Sequence, residues 1–114
     1  MTTTRSPEDV FAHHAQALMA GDVEEIISDY SDDAILIVGS KVSRGRDGAR
    51  DVFTQLLQEA PQATWEVESV FAEDVLYLEW RARSGSRQLD GIDTFIFRDG
   101  RIRVQTVRYT VQGD

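Results

Sequence analysis

Two side chains in this sequence pair proton-transfer chemistry with positions that read as interior: His14 and Asp93. Phe11, His14 and Leu18 fall on one face of a helical pattern, so the imidazole points inward with the apolar stripe. Such a histidine is either a core residue whose nitrogens are satisfied by neighbours, or a pocket residue able to act as acid or base near neutral pH. His13 lies about 100° further round the helix and reads as solvated, so the adjacent pair cannot chelate one metal ion. Asp93 interrupts the run Ile92-Asp-Thr-Phe-Ile-Phe97 and shares a strand face with Phe95 and Phe97. A carboxyl among aromatic rings is neutral or paired, for structural reasons or for chemistry. If both side chains enter one cavity, they are expected to form a hydrogen-bonded pair in which Asp93 orients the imidazole and raises its basicity. The alternative is a polar clamp that only binds a carbonyl or hydroxyl.

Composition narrows the function classes. The 114 residues suit one domain, taken here as 1–114, with one core. Twenty acidic residues against twelve basic ones give a formal charge of −8, a surface that repels phosphate backbones, so nucleic acid is not expected as a partner. There is no cysteine, hence no disulfide, thiol nucleophile or cysteine-bound metal. Dinucleotide, phosphate-loop and nucleophile-elbow motifs are absent from the sequence. No apolar run approaches the ~18 residues of a membrane span, and MTTTRSPEDV carries no hydrophobic leader segment, so no membrane partner and a cytoplasmic location are expected.

The elements that must position the two residues follow from capping and periodicity. Ser6-Pro7-Glu8-Asp9 starts a first helix that Gly21 ends. Asp22-Val-Glu-Glu25 starts a second, with Val23, Ile26, Ile27 and Tyr30 at i, i+3, i+4, i+7. Asp32 and Asp33 read as turn residues, and Ala34 to Val38 as a short strand buried on both sides. Arg44 to Gly48 reads as a loop, and Ala49 to about Ala60 as a third helix closed by Pro61. Strands are expected at 64–72, 75–84, 87–98 and 101–111, with Ser84-Gly85-Ser86 and Asp99-Gly100 as hairpin turns. The order predicts an α+β fold: a curved antiparallel sheet shaped as a cone, with three N-terminal helices closing a central pocket. Tyr30, Phe53, Trp65 and Tyr109 are cavity walls or core, and the alternation of strand 75–84 leaves either face open as the inner one.

Four strings, Ala20-Gly-Asp-Val-Glu-Glu-Ile26, Tyr30-Ser-Asp-Asp-Ala34, Gly45-Arg-Asp-Gly-Ala-Arg-Asp-Val-Phe53 and Ile92-Asp-Thr-Phe-Ile-Phe-Arg-Asp-Gly-Arg-Ile102, resemble the nuclear transport factor 2-like superfamily, specifically its ketosteroid isomerase and SnoaL-like polyketide cyclase branch. The resemblance implies three positions. The strand-one general base of the isomerases falls on Val38, which cannot take a proton; the helix-one oxyanion donor falls on His14; the protonated strand acid falls on Asp93. It also implies pocket contacts at Gln105 and Tyr109. Leu18, Tyr30, Val38, Phe53, Trp65 and Phe95 complete the expected ligand pocket. The implied protein is a homodimer through the outer face of its sheet, binding a small apolar molecule of polycyclic, polyketide-like or terpenoid kind. It is either an acid–base isomerase, cyclase, dehydratase or hydrolase without cofactor or metal, or a non-catalytic binding or dimerisation module of the same fold.

Overall fold

A computed structural model describes residues 4–113; residues 1–3 and Asp114 of the expected domain lie outside the described residues. Helix α1 (Pro7–Ala20) begins where Ser6 Oγ accepts the Asp9 amide hydrogen at 3.1 Å, with Pro7 in its first turn. It presents Val10, His14 and Ala17 to the core. Helix α2 (Val23–Ile27) is capped by Asp22 but is shorter than its periodicity suggests. It stops before Tyr30 because the next residue pair turns the chain into the sheet. The carbonyl of Asp29 accepts the amide hydrogen of Ile102 at 2.8 Å, a bond a continuing helix would forgo.

Tyr30 therefore opens strand β1 (Tyr30–Val38) instead of closing a helix. Asp32 and Asp33, expected in a turn, lie in this strand at an irregularity between Tyr30 and Ile35. Both are exposed and face Arg46 at 3.1 Å and Arg103 at 3.3 Å, so they are surface ion pairs. The apolar run that follows buries one face, Ala34 and Leu36, while Ile35 and Ile37 are only half-buried. Strand β2 (Lys41–Arg44) was not anticipated; it is short and largely exposed, and it pairs antiparallel with β1. Helix α3 (Gly45–Glu59) starts four positions before the expected Ala49. The glycines that read as a loop serve packing: a Cβ at Gly48 would stand 3.0 Å from Ser43.

Strands β3 (Thr64–Ala72), β4 (Val75–Ser84), β5 (Arg87–Arg98) and β6 (Arg101–Gln112) match the expected hairpin series, β6 running one residue further. The six strands run β2-β1-β6-β5-β4-β3. The β1–β6 pair is parallel, so the sheet is mixed and not antiparallel throughout. Local alternation specifies the hairpins; it carries no information on the long-range pair that joins the two halves of the chain. Leu76, Leu78, Trp80 and Ala82 are the buried side of β4, which places Tyr77, Glu79, Arg81 and Arg83 outside.

One buried group anchors the N-terminal side. Asp29, fully buried, accepts from Arg5 Nη1 at 2.9 Å and from His13 Nδ1 at 2.7 Å, while Arg5 Nη2 donates to the Gly100 carbonyl at 2.9 Å. His13, expected to be solvated, is thus a half-exposed partner of a buried carboxylate. This cluster fixes α1, and with it His14, against the α2–β1 junction and the β5–β6 turn.

Candidate functional site

Between α1, α3 and the inner face of the sheet lies a cavity of about 160 Å³. His14, Leu18, Val38, Phe53, Trp65, Asp93, Phe95, Gln105 and Tyr109 all line it, together with Phe11, Leu56 and Trp80. Tyr30 does not line it. That residue is fully buried behind the wall and donates its hydroxyl hydrogen to Gln105 Oε1.

The polar floor is a chain of hydrogen bonds that ends on Asp93. Trp80 Nε1 donates to Asp93 Oδ1 at 2.9 Å, and Gln105 Nε2 donates to Asp93 Oδ2 at 2.9 Å. Strand register makes this possible. Asp93 faces Leu78 on β4 and Val107 on β6, and Trp80 is directly opposite Gly91. The indole lies over that glycine so closely that a Cβ there would meet Trp80 Cε2 at 2.2 Å. Any larger residue at 91 would push the indole away from Asp93. Trp80 also packs between Trp65 and Tyr109, with ring centroids 5.4 and 5.7 Å apart.

Burial pushes the Asp93 carboxyl up to about 6, against the opposing pull of the Trp80 and Gln105 donors. Burial pushes the His14 imidazole down to about 4, the Asp29 charge acting the other way. At neutral pH the cavity therefore holds a mostly ionised carboxylate and a neutral imidazole. Tyr109 donates its hydroxyl to Glu59 Oε1 at 2.9 Å, and burial, followed by that bond, pushes it up to about 12.

The expected His14–Asp93 hydrogen bond is not formed. Both Asp93 oxygens are already engaged by N–H donors from β4 and β6, and the imidazole instead meets the rings of Phe53, Phe95 and Tyr30 at centroid distances of 5.4, 5.6 and 5.9 Å. Its Nδ1 is buried with no hydrogen-bond partner among the described residues. A buried unpaired nitrogen costs about 1–3 kcal/mol, so the fold leaves hydrogen-bonding capacity unused beside the cavity. Sequence reasoning missed Trp80 as the donor that holds Asp93, and Gly91 as the residue that admits it. The available signal was a glycine inside an otherwise well-patterned strand, two residues before the acid. It also missed Asp29, whose short spacing to Tyr30 resembles ordinary helix-end chemistry.

Among the described residues no three His, Cys, Asp or Glu side chains gather as a metal-binding group, and no helix is long and apolar enough to cross a membrane.

Comparison with known proteins agrees with this architecture. A family model described as a SnoaL-like domain matches residues 11–105. No functionally curated protein matches the sequence. Among solved structures, the chain is similar to a protein of unknown function from Burkholderia xenovorans LB400 described as NTF-2 like (TM-score 0.77, 19% identity, 95% of this chain and 85% of that one). It is similar to IdmH, a putative polyketide cyclase from Streptomyces antibioticus (TM-score 0.79, 19% identity, 92% of each chain). It is also similar to SalBIII, described as an epoxide hydrolase/cyclase-like enzyme in pyran ring formation in the polyether salinomycin (TM-score 0.72, 18% identity, 92% of this chain and 93% of that one). At these identities the likeness establishes a shared fold.

Proposed function

The chain belongs to the SnoaL-like domain family, and from that premise we propose that it is an acid–base enzyme acting on an apolar polyketide- or terpenoid-like substrate. One observation carries the reading: an ionisable carboxylate, fixed by two N–H donors, faces an apolar cavity that also holds a neutral imidazole. In this reading Asp93 is the general base. It removes a proton from carbon next to a carbonyl, and the Trp80 and Gln105 donors keep its geometry constant through the transfer. The N–H of neutral His14 stabilises the negative charge that develops on the carbonyl oxygen. The roles are thus divided between the two residues, with no relay from Asp93 to His14. Enone isomerisation, aldol-type cyclisation and dehydration of a β-hydroxy carbonyl compound all begin with such a proton transfer.

The competing reading is a non-catalytic binding module, favoured by Val38 at the position where the isomerases carry their base. Proton exchange separates the two without knowledge of the natural substrate. In deuterated buffer, an enzyme of this kind accelerates α-hydrogen exchange of a small cyclic ketone, read by proton NMR, and Asp93→Asn abolishes the acceleration. Exchange at the buffer rate with wild-type protein would support the binding module.

The outer face of the sheet supports a homodimer. Val70 and Ile92 are 63% and 53% exposed there, with Val75, Tyr77 and Ile96 beside them, a patch larger than isolated surface apolar residues need.

A further inference from the structure

The cavity is small. At about 160 Å³ it is close to the ~150 Å³ void that accepts a benzene ring and well below the ~300–1,000 Å³ of pockets that enclose drug-sized ligands. Its volume is fixed by residues that cannot easily retreat. Trp80 is held at one edge by Asp93 and rests on Gly91, and Trp65 and Tyr109 pack on either side of it. Phe11 and Phe95 meet edge to face at 6.0 Å across from them.

The hydrogen-bond inventory is equally restrictive. The N–H of Trp80, an N–H of Gln105 and the hydroxyls of Tyr30 and Tyr109 are all spent inside the protein. The Asp93 carboxylate has about four acceptor sites, of which these donors use two. His14 keeps an unpaired nitrogen beside the cavity, so a group that fills the floor brings a hydrogen to Asp93 and can turn a carbonyl or hydroxyl oxygen toward the imidazole.

Resting on the acid–base reading of this site, we propose that the group the cavity takes is a single ring carrying a hydroxyl or an enolisable C–H beside a carbonyl, not a fused polycycle. A larger molecule enters by one terminal ring, the remainder passing the rim formed by Met19, Lys41 and Gln55.

Titration calorimetry with phenol, 1-naphthol, 9-phenanthrol and anisole tests this. Apolar burial alone would make affinity rise with ring number. The proposal expects the reverse, with 9-phenanthrol at least about tenfold weaker than phenol, and expects Trp65→Ala to recover the larger ring. Anisole, which has no hydrogen to give, should bind about tenfold more weakly than phenol, a gap that narrows in Asp93→Asn. Binding of 9-phenanthrol by wild-type protein as tightly as phenol overturns the size limit. A phenol–anisole gap that is absent, or indifferent to Asp93→Asn, overturns the underlying role of Asp93 while leaving the size limit intact. Failure of all four probes to bind contradicts both.

Discussion

The indole N–H of Trp80 reaches Asp93 Oδ1 at 2.9 Å, across a strand pair in which the tryptophan itself stands opposite Gly91. A donor from one strand thus stabilises the charged form of an acid on the next, and it does so inside a cavity whose burial favours the neutral form. The balance between these two effects sets the protonation of the site. Trp80→Phe keeps most of the ring volume and deletes the donor. We expect the wild-type pH–rate profile to show an acidic limb at about 6, and that limb to move upward by about one unit in this variant. A limb unchanged in position would mean that the indole only packs.

Asp93→Asn should separate chemistry from folding. An amide is not a base, so turnover falls by about 10²–10⁴-fold. The fold survives because Gln105 can turn its amide over and accept from Asn at 93 while Tyr30 accepts in turn. The sign of the stability change follows from linkage. The folded-state value of Asp93 is raised above its ordinary 3.8, so its contribution is fully present below 3.8 and is lost as pH rises through about 6. At pH 7 the variant is therefore expected to be at least as stable as the wild type in urea melts. A loss of several kcal/mol would identify Asp93 as a structural acid.

His14 works in the opposite sense. Its folded-state value is depressed from 6.5 to about 4, so its contribution is present above 6.5 and is lost as pH falls through about 4. Wild-type stability should decline on acidification through that window, and His14→Phe should flatten the decline. Since the imidazole is neutral across the working range, the rate profile should show no limb near 6.5 that disappears in His14 variants. Such a limb would restore His14 as the base.

The hairpin series and the inward placement of Asp93 were legible because alternation and turn chemistry are local. The parallel β1–β6 pair, the early start of α3 and the strand position of Tyr30 were not. Two of these depend on contacts distant in sequence, Val104 to Val107 against β1 and Ile102 against Asp29, and the start of α3 depends on the close approach of Gly48 to Ser43, which a loop-like run of glycines conceals. The candidate site followed the same division. Periodicity turns His14 and Asp93 toward one interior, but which partner each takes is set by register across three strands, and Trp80 reaches Asp93 only because residue 91 has no side chain.

Asp29 gives a prediction remote from the cavity. Its hydrogen bond raises His13 above 6.5, with burial opposing. The stability contributed by that pair is fully present below 6.5 and is lost as pH rises through the raised value. His13→Gln should remove this slope above pH 6.5 in thermal melts; an identical slope in both proteins would place the dependence elsewhere.

The exposed outer face predicts assembly. Sedimentation should find a dimer at high micromolar concentration, and Ile92→Arg should produce a folded monomer. A wild-type monomer across that range would leave the patch unpartnered by a second copy.

Steroid dienone isomerisation should stay near background, because Val38 offers no carboxylate at the strand-one position of the isomerases' base. Robust turnover of such a steroid would contradict that statement.

The most direct measurement is a carbon-13 NMR titration of the Asp93 side-chain carboxyl, assigned by its disappearance in Asp93→Asn, in the free protein and with phenol bound. We predict a midpoint of about 6 that moves when phenol occupies the cavity. An ordinary midpoint near 3.8, unmoved by phenol, would contradict the claim that this carboxylate is the site's proton acceptor.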